Sequence, residues 1–350
     1  MLDKITIEGY KSIRKLTDFE LRPLNVLIGA NGAGKSNFLG FFQLLKDLVG
    51  LRLAAGVARG GGADACLYLG PKVTQRLSAK LVLDFDTYEF ALEPTPDNRL
   101  IFSGASAGDP AFRGLDGLLG PRMAPGLRDV MFKWAIYHFQ DTSLTANVRR
   151  QRPINHDEVL HEDAGNLAAL LCRIRTTDPR AYSEIRDAVR MAAPFFDDFK
   201  LRPVPTNPDL IQLEWLQKGT DYPFLAHQLS DGTLRFICLA TALLQPDAPP
   251  LMLFDEPELG LHPYALTLLA SLFSQAADAS RQIIVSTQSA QLLNEFRPED
   301  VIVVERANGE SIFRRLNEAE LSEWLKEYSL GELWQKNVLG GGPRPEDHPS

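Results

Sequence analysis

Residues 25–36 read NVLIGANGAGKS, an apolar run that breaks into glycines and closes on a lysine and a serine. The run 25–29 lies between Pro23 and the glycines and reads as a buried strand. Beyond it Phe38, Phe41, Phe42, Leu45, Leu48 and Val49 recur at helical spacing, the core face of a helix that starts near Lys35. Strand, GxxxxGK[ST] turn and helix in that order are the arrangement that cradles a phosphate. Glycines let backbone N–H groups curl round the anion, and the helix turns its positive end toward it. On this reading Gly29, Ala30, Asn31, Gly32, Ala33, Gly34, Lys35, Ser36 and Asn37 line a nucleotide site. Lys35 reaches the terminal phosphates, and the Ser36 hydroxyl ligates Mg²⁺.

Working outward, PPLMLFDEPELGLHP (249–263) puts Asp255 and Glu256 at the end of an apolar strand, where open parallel sheets bind ligands. Asp255 suits a Mg²⁺ contact. Glu256, one residue on, points elsewhere and can polarise an attacking water. Two acids at a strand end can also be a plain polar cap, and pairing with the phosphate loop favours the catalytic reading. Apolar runs at 251–257, 282–289 and 301–305, separated by helical stretches, predict a parallel sheet flanked by helices. Residues 2–8 and 134–139 read as strands, and 76–94 as a two-stranded antiparallel piece. Helices are expected over 163–175, 178–194 and 229–245, whereas the glycine-rich 54–65 reads as a loop or frayed helix end.

The 350 residues suffice for one large domain or two lobes. No apolar run approaches the roughly eighteen residues of a membrane span, and the N-terminus lacks the organisation of a secretion signal. Cys66, Cys172 and Cys238 show no metal-ligand spacing and read as reduced thiols of a cytoplasmic protein. A net charge of −8 argues against wholesale capture of nucleic acid. Arg149, Arg150, Arg152, Arg314 and Arg315 nevertheless leave nucleic acid open as a partner. The expected organisation is an N-terminal ATPase part over 1–102, a linker and helical lobe over 103–228 and a C-terminal ATPase part over 229–339. Residues 340–350 read as a disordered tail.

LSDGT (229–233), just ahead of the acidic strand, resembles the LSGGQ signature of ATP-binding-cassette ATPases, although the same residues also make an ordinary serine-capped helix start. The opening ITIEGYKSIRKL and the order of phosphate loop, LSDGTLR, LMLFDEPELGLHP and IVSTQS are similar to the RecF/SMC-like branch. Within it, the chain resembles standalone bacterial predicted AAA-type ATPases related to the OLD family, as does LGELWQKNVLGGGP (330–343). The resemblance is dense in the two motif blocks and thin between them. It implies an α/β P-loop NTPase of the ABC-type head, with a mixed/parallel sheet core, an N-terminal antiparallel β subdomain and a helical lobe.

The resemblance further implies ATP and Mg²⁺ as cofactors and an ATP-dependent homodimer. In such a dimer Ser230, Asp231 and Gly232 cap the γ-phosphate held by the partner copy, and residues 260–262 form the loop that crosses the dimer. The implied activity is slow ATP hydrolysis in DNA maintenance or antiphage defence, without a membrane partner. The alternative is an ATP-dependent switch for a separately encoded effector, such as a nuclease. Four departures bear on this. Asp231 stands where the family commonly has glycine. Gln288 replaces a switch histidine and cannot share a proton as imidazole does. Gln140 is the candidate for the metal-holding glutamine of the family, with a purely structural role as the alternative. No coiled coil and no acidic nuclease module can be read in the chain.

Overall fold

The computed structural model describes residues 1–103 and 125–342. Most of the glycine-rich boundary expected at 103–126, and residues 343–350 of the expected tail, lie outside the described residues. The chain divides into two compact units, Met1–Ile136 with Arg297–Ser350, and Tyr137–Phe296.

The first unit opens with β1 (Leu2–Tyr10), β2 (Ile13–Glu20) and β3 (Leu24–Ile28), followed by α1 (Lys35–Val49), α2 (Leu53–Arg59) and α3 (Ala63–Cys66). Strands β4 (Leu77–Leu83), β5 (Asp86–Pro94) and β6 (Leu100–Phe102) come next, then α4 (Pro125–Phe132) and β7 (Ala135–Tyr137) at the junction. An antiparallel sheet of order β2-β1-β4-β5-β6 forms the expected N-terminal β part. Its register sets Ile5 opposite Phe19 and Leu81, and both Ile5 and Ile7 are fully buried. The expected apolar face of α1 is buried, with Phe41 edge-on to Tyr10 and Phe42 against Trp134. Residues 54–65, expected as a loop or frayed helix end, carry two short helices, α2 and α3, joined by a glycine turn at 60–62. Leu53 and Val57, one turn apart, are buried, and Arg59 pairs with the buried Asp47 carboxylate, so α2 has a packed face that its glycines obscured.

The second unit begins with β8 (Arg152–Pro153), α5 (Leu167–Thr177) and α6 (Pro179–Ala192). Five short strands follow: β9 (Phe196–Phe199), β10 (Pro203–Val204), β11 (Asn207–Ile211), β12 (Glu214–Gln217) and β13 (Pro223–Leu225). With β8 they make two three-stranded antiparallel sheets, β10-β11-β8 and β13-β12-β9, that no alternation in so few residues announces. Their core is aromatic, with Trp215 stacked on Phe196 and Phe224. Helix α6 starts on Pro179, as expected, with Asp178 accepting a hydrogen bond from Ala181 N. Helix α5 starts later than expected, because the Asn166 side chain instead ties down the preceding loop through His161 N and the carbonyls of His156 and Val159. The unit closes with α7 (Asp231–Leu244), β14 (Leu251–Asp255), α8 (Pro263–Ala276), β15 (Gln282–Thr287) and α9 (Ala290–Leu293). Strands β14 and β15 are parallel, with Asp255 opposite Ser286.

The chain then returns to the first unit through β16 (Val301–Ala307), β17 (Glu310–Arg315), α10 (Glu318–Leu321) and α11 (Leu330–Gln335). Strand β16 runs parallel to the fully buried β3 and antiparallel to the partly exposed β17, a mixed arrangement. Residues 340–342, expected in a disordered tail, are largely buried and hydrogen-bonded, a difference taken up below. No helix among the described residues is long and apolar enough to cross a membrane.

Candidate functional site

In the first unit, β3 delivers the glycine turn and α1 carries it away. Gly34 precedes α1 with φ of +116°, a conformation that an L side chain rarely adopts. A Cβ there would also sit 2.0 Å from Ser311 Oγ. That hydroxyl donates to the Ala33 carbonyl at 2.6 Å and shares a hydrogen bond with Ser12 Oγ at 2.7 Å, while Asn37 Nδ2 donates to Ser12 Oγ at 2.6 Å. Two buried serines, one in the β1–β2 turn and one on β17, thus fix the back of the loop. Lys35 is buried, and its Nζ donates to the carbonyls of Gly29 and Ala30 at 2.6 and 3.1 Å. Asn31, Gly32 and Ser36 are exposed. No side chain caps α1, which suits its first turn to an anion. The uncapped helix, the lysine and the exposed Ser36 hydroxyl fit a nucleotide phosphate with its divalent ion.

In the second unit, the end of β14 meets the end of β15. Asp255 Oδ1 accepts a hydrogen bond from Ser286 Oγ. Glu256 follows with φ of +46°, unusual for a non-glycine residue and held by its N–H on the Ser286 carbonyl at 2.9 Å. Its carboxylate accepts from Gln288 Nε2, so two of the expected residues touch. Gln140 Nε2 stands 3.5 Å from the Asp255 carbonyl. Gln140, Arg235, Asp255 and Glu256 line a cavity of about 10 Å³, at the lower edge of what one water needs.

Sequence reasoning missed Glu258. Its Oε1 accepts from Thr287 Oγ1 at 2.5 Å and from Gln288 N at 3.0 Å, fixing the turn that presents Gln288. Its Oε2 is buried without a partner, and burial raises the carboxyl pKa above its ordinary value.

The signature turn lies in the same unit. Ser230 Oγ caps α7 by accepting from Thr233 N at 3.1 Å, and it also shares a hydrogen bond with Thr233 Oγ1 at 2.8 Å. Gly232 approaches the neighbouring loop so closely that a Cβ would fall 2.2 Å from the Gly260 carbonyl oxygen. Asp231 Oδ1 accepts from Arg149 Nη2 at 2.8 Å; that guanidinium also donates to the carbonyls of Thr142, at 2.8 Å, and Ala226. Arg235, one turn into α7, donates to the carbonyls of Phe139 and Gln140 at 2.9 and 3.1 Å. The turn is therefore clasped to the segment that carries Gln140. Arg235 lies within the LSDGTLR stretch, whereas Arg149 reads from the sequence as one of a basic cluster, with no local sign of this clasp.

The basic residues weighed for nucleic acid are largely engaged inside the fold. Arg149 is 4% exposed, Arg152 bonds Asn147, and Arg314 donates to the Leu339 carbonyl at 2.6 Å. Arg315 donates to the Glu299 and Glu20 carbonyls, and burial brings its pKa down to about 10. Arg150 remains exposed.

A family model described as "AAA domain, putative AbiEii toxin, Type IV TA system" matches residues 24–294. No curated protein matches the chain. Among solved structures, an Smc head bound to the C-winged helix domain of ScpA is similar over 91% of this chain and 99% of its own, at 16% identity and a TM-score of 0.61. The Smc head domain from Pyrococcus furiosus, with an extended coiled coil and bound to the C-terminal domain of ScpA, covers 93% of this chain and 98% of its own. Its identity is 15% and its TM-score 0.58. An Smc head domain with a coiled coil and joint from Pyrococcus yayanosii gives 12% identity and a TM-score of 0.56, over 93% of this chain and 99% of its own. At these identities the likeness establishes the head fold.

Proposed function

Since this chain belongs to the AAA-domain family that matches it over residues 24–294 and has the fold of an SMC/RecF-like ABC-type ATPase, we propose that it is a Mg²⁺-dependent ATPase working as an ATP-sandwich homodimer. Residues 29–37 hold the phosphates, with Lys35 leaving the Gly29 and Ala30 carbonyls for the terminal phosphate oxygens. Ser36 and Asp255 would be the metal ligands, and a Mg²⁺ held by them would neutralise charge on the phosphates. Glu256 polarises the attacking water, and the Gln288 amide orients it. Ser230, Asp231 and Gly232 act on the nucleotide of the partner copy. The Asp231 carboxylate, already paired with Arg149, meets a phosphate with less repulsion than a bare acid would.

The observation that supports hydrolysis beyond mere binding is the contact of Gln288 with Glu256, a glutamate held in a strained backbone at the end of β14. Steady-state phosphate release tests it. Lys35→Ala is expected to lose nucleotide binding. Glu256→Gln should keep binding while turnover falls at least about 100-fold. Wild-type turnover in Glu256→Gln would remove the assigned base.

The same contact favours a second reading. The Glu256 carboxylate is engaged by an amide that cannot accept its proton, so turnover would be slow and the ATP-bound state long-lived. Such a chain serves as a switch for a separately encoded effector, a nuclease among the candidates, in cytoplasmic DNA maintenance or antiphage defence. The ScpA domain seated on a similar head offers the analogy for a bound partner. An effector captured by Glu256→Gln with ATP, and not by Lys35→Ala, would favour the switch.

A further inference from the structure

The peptide unit that joins Gly29 to Ala30 opens the phosphate loop, and it is pinned at both ends. Its carbonyl accepts Lys35 Nζ at 2.6 Å, and its N–H donates to the Gly341 carbonyl at 2.7 Å. Gly341 is itself held, because its N–H donates to Glu305 Oε1 on β16 at 2.6 Å. A Cβ on Gly341 would lie 2.9 Å from Val303 Cγ1 and 3.5 Å from Gly29 Cα, at a φ of +76°. The residues on either side are fixed too. Leu339 is 1% exposed with its carbonyl on Arg314 Nη2 at 2.6 Å, and Gly342 N donates to Asn337 Oδ1 at 3.0 Å. The indole Nε1 of Trp334 on α11 is buried without a hydrogen-bond partner, 3.5 Å from the same Cβ position. A segment with tail-like composition is therefore built into the first unit, directly on the loop.

We propose that residues 339–342 form a strap that sets the grip of the phosphate loop, with Gly341 and Glu305 as its positioning residues. The proposal rests on the nucleotide reading of that loop. With the strap seated, the Gly29–Ala30 peptide is oriented before any ligand arrives. With the strap lifted, that peptide keeps Lys35 on its carbonyl but loses the pin on its N–H, and binding must then order it. Strap closure and nucleotide occupancy are thereby linked, and the linkage is reciprocal. A ligand or chain that draws the C-terminal segment away lowers nucleotide affinity, and bound nucleotide holds the segment down.

The test measures the Kd for a non-hydrolysable ATP analogue with Mg²⁺ on the full chain, alongside the urea unfolding midpoint. Glu305→Ala removes the acceptor of Gly341 N and is expected to weaken binding about tenfold. Glu305→Gln keeps an oxygen there and should stay within about threefold of wild type. In the wild-type protein, the analogue should slow amide exchange across residues 339–342, a readout that needs no variant. Wild-type affinity in Glu305→Ala, equal losses in Glu305→Ala and Glu305→Gln, or unchanged exchange over 339–342 would each overturn the strap. Lys35→Ala separates the two readings. If the wild type binds no better than Lys35→Ala, the nucleotide reading falls and the strap with it. If the wild type binds and Lys35→Ala does not, the Glu305 variants judge the strap alone.

Discussion

The two glycine turns of this chain each launch a helix, and they do so in opposite ways. Helix α1 starts from Gly34 with no side chain capping its first turn, while Ser36 stays exposed. Helix α7 starts from Ser230, whose hydroxyl already satisfies Thr233 N. An uncapped helix start is half of an anion site, whereas a self-capped one has satisfied that need with its own side chain. Similar composition therefore encodes two states, one waiting for a ligand and one complete in its own chain.

The sharpest way to break this contrast is at Gly34. Gly34→Val forces a β-branched residue to a φ of +116° and onto Ser311 Oγ. ATP binding should vanish and stability should drop by about 3 kcal/mol or more, read by nucleotide titration and urea unfolding. Retained binding would mean that the loop does not depend on this turn. Gly232→Ala drives a Cβ into the Gly260 carbonyl and is expected to cost about 1–3 kcal/mol. Because this turn is read as acting on the partner's nucleotide, the ATP Kd of the monomer, measured on protein too dilute to dimerise, should stay unchanged; a loss there would erase the distinction between the turns.

A finer probe compares two changes at Ser230. Ser230→Ala removes the cap and should lower stability by about 1 kcal/mol. Ser230→Asp keeps a capping oxygen, so stability should hold while the added charge blocks association with a phosphate-bearing partner. If Ser230→Asp associates normally, the turn is only a cap. The smallest effect concerns Glu258, whose pKa burial raises above its ordinary 4.5. A raised carboxyl contributes stability that is fully present below 4.5 and is lost as pH rises through the folded-state value. Urea midpoints from pH 4 to 8 should therefore decline less for Glu258→Gln than for the wild type. Parallel curves would show that Glu258 titrates normally.

The contrast also explains what the sequence could disclose. Residues 25–49 carry strand, turn and helix in one contiguous stretch, so the phosphate loop and the buried face of α1 were legible together. Asp255, Glu256 and Gln288 were legible because each ends a strongly apolar strand. The clasps were not. Arg149 to Asp231 and Arg235 to Phe139 join single polar groups from distant parts of the chain, and such pairs leave no periodicity. The 340–342 segment misled for a related reason. Its glycines look like a flexible tail, yet they are what close packing on Glu305 and the phosphate loop requires. The strands β9–β13 were too short to show alternation, and their aromatic core draws on residues spread from Phe196 to Phe224.

The central claim is that the self-capped signature turn acts in trans, on nucleotide held by a second copy. Its most direct test is the solution mass of the Glu256→Gln protein with and without ATP and Mg²⁺. The account predicts a monomer alone and a doubled mass only when both are present. A protein that binds ATP and stays monomeric, or one that is dimeric without it, would contradict the claim.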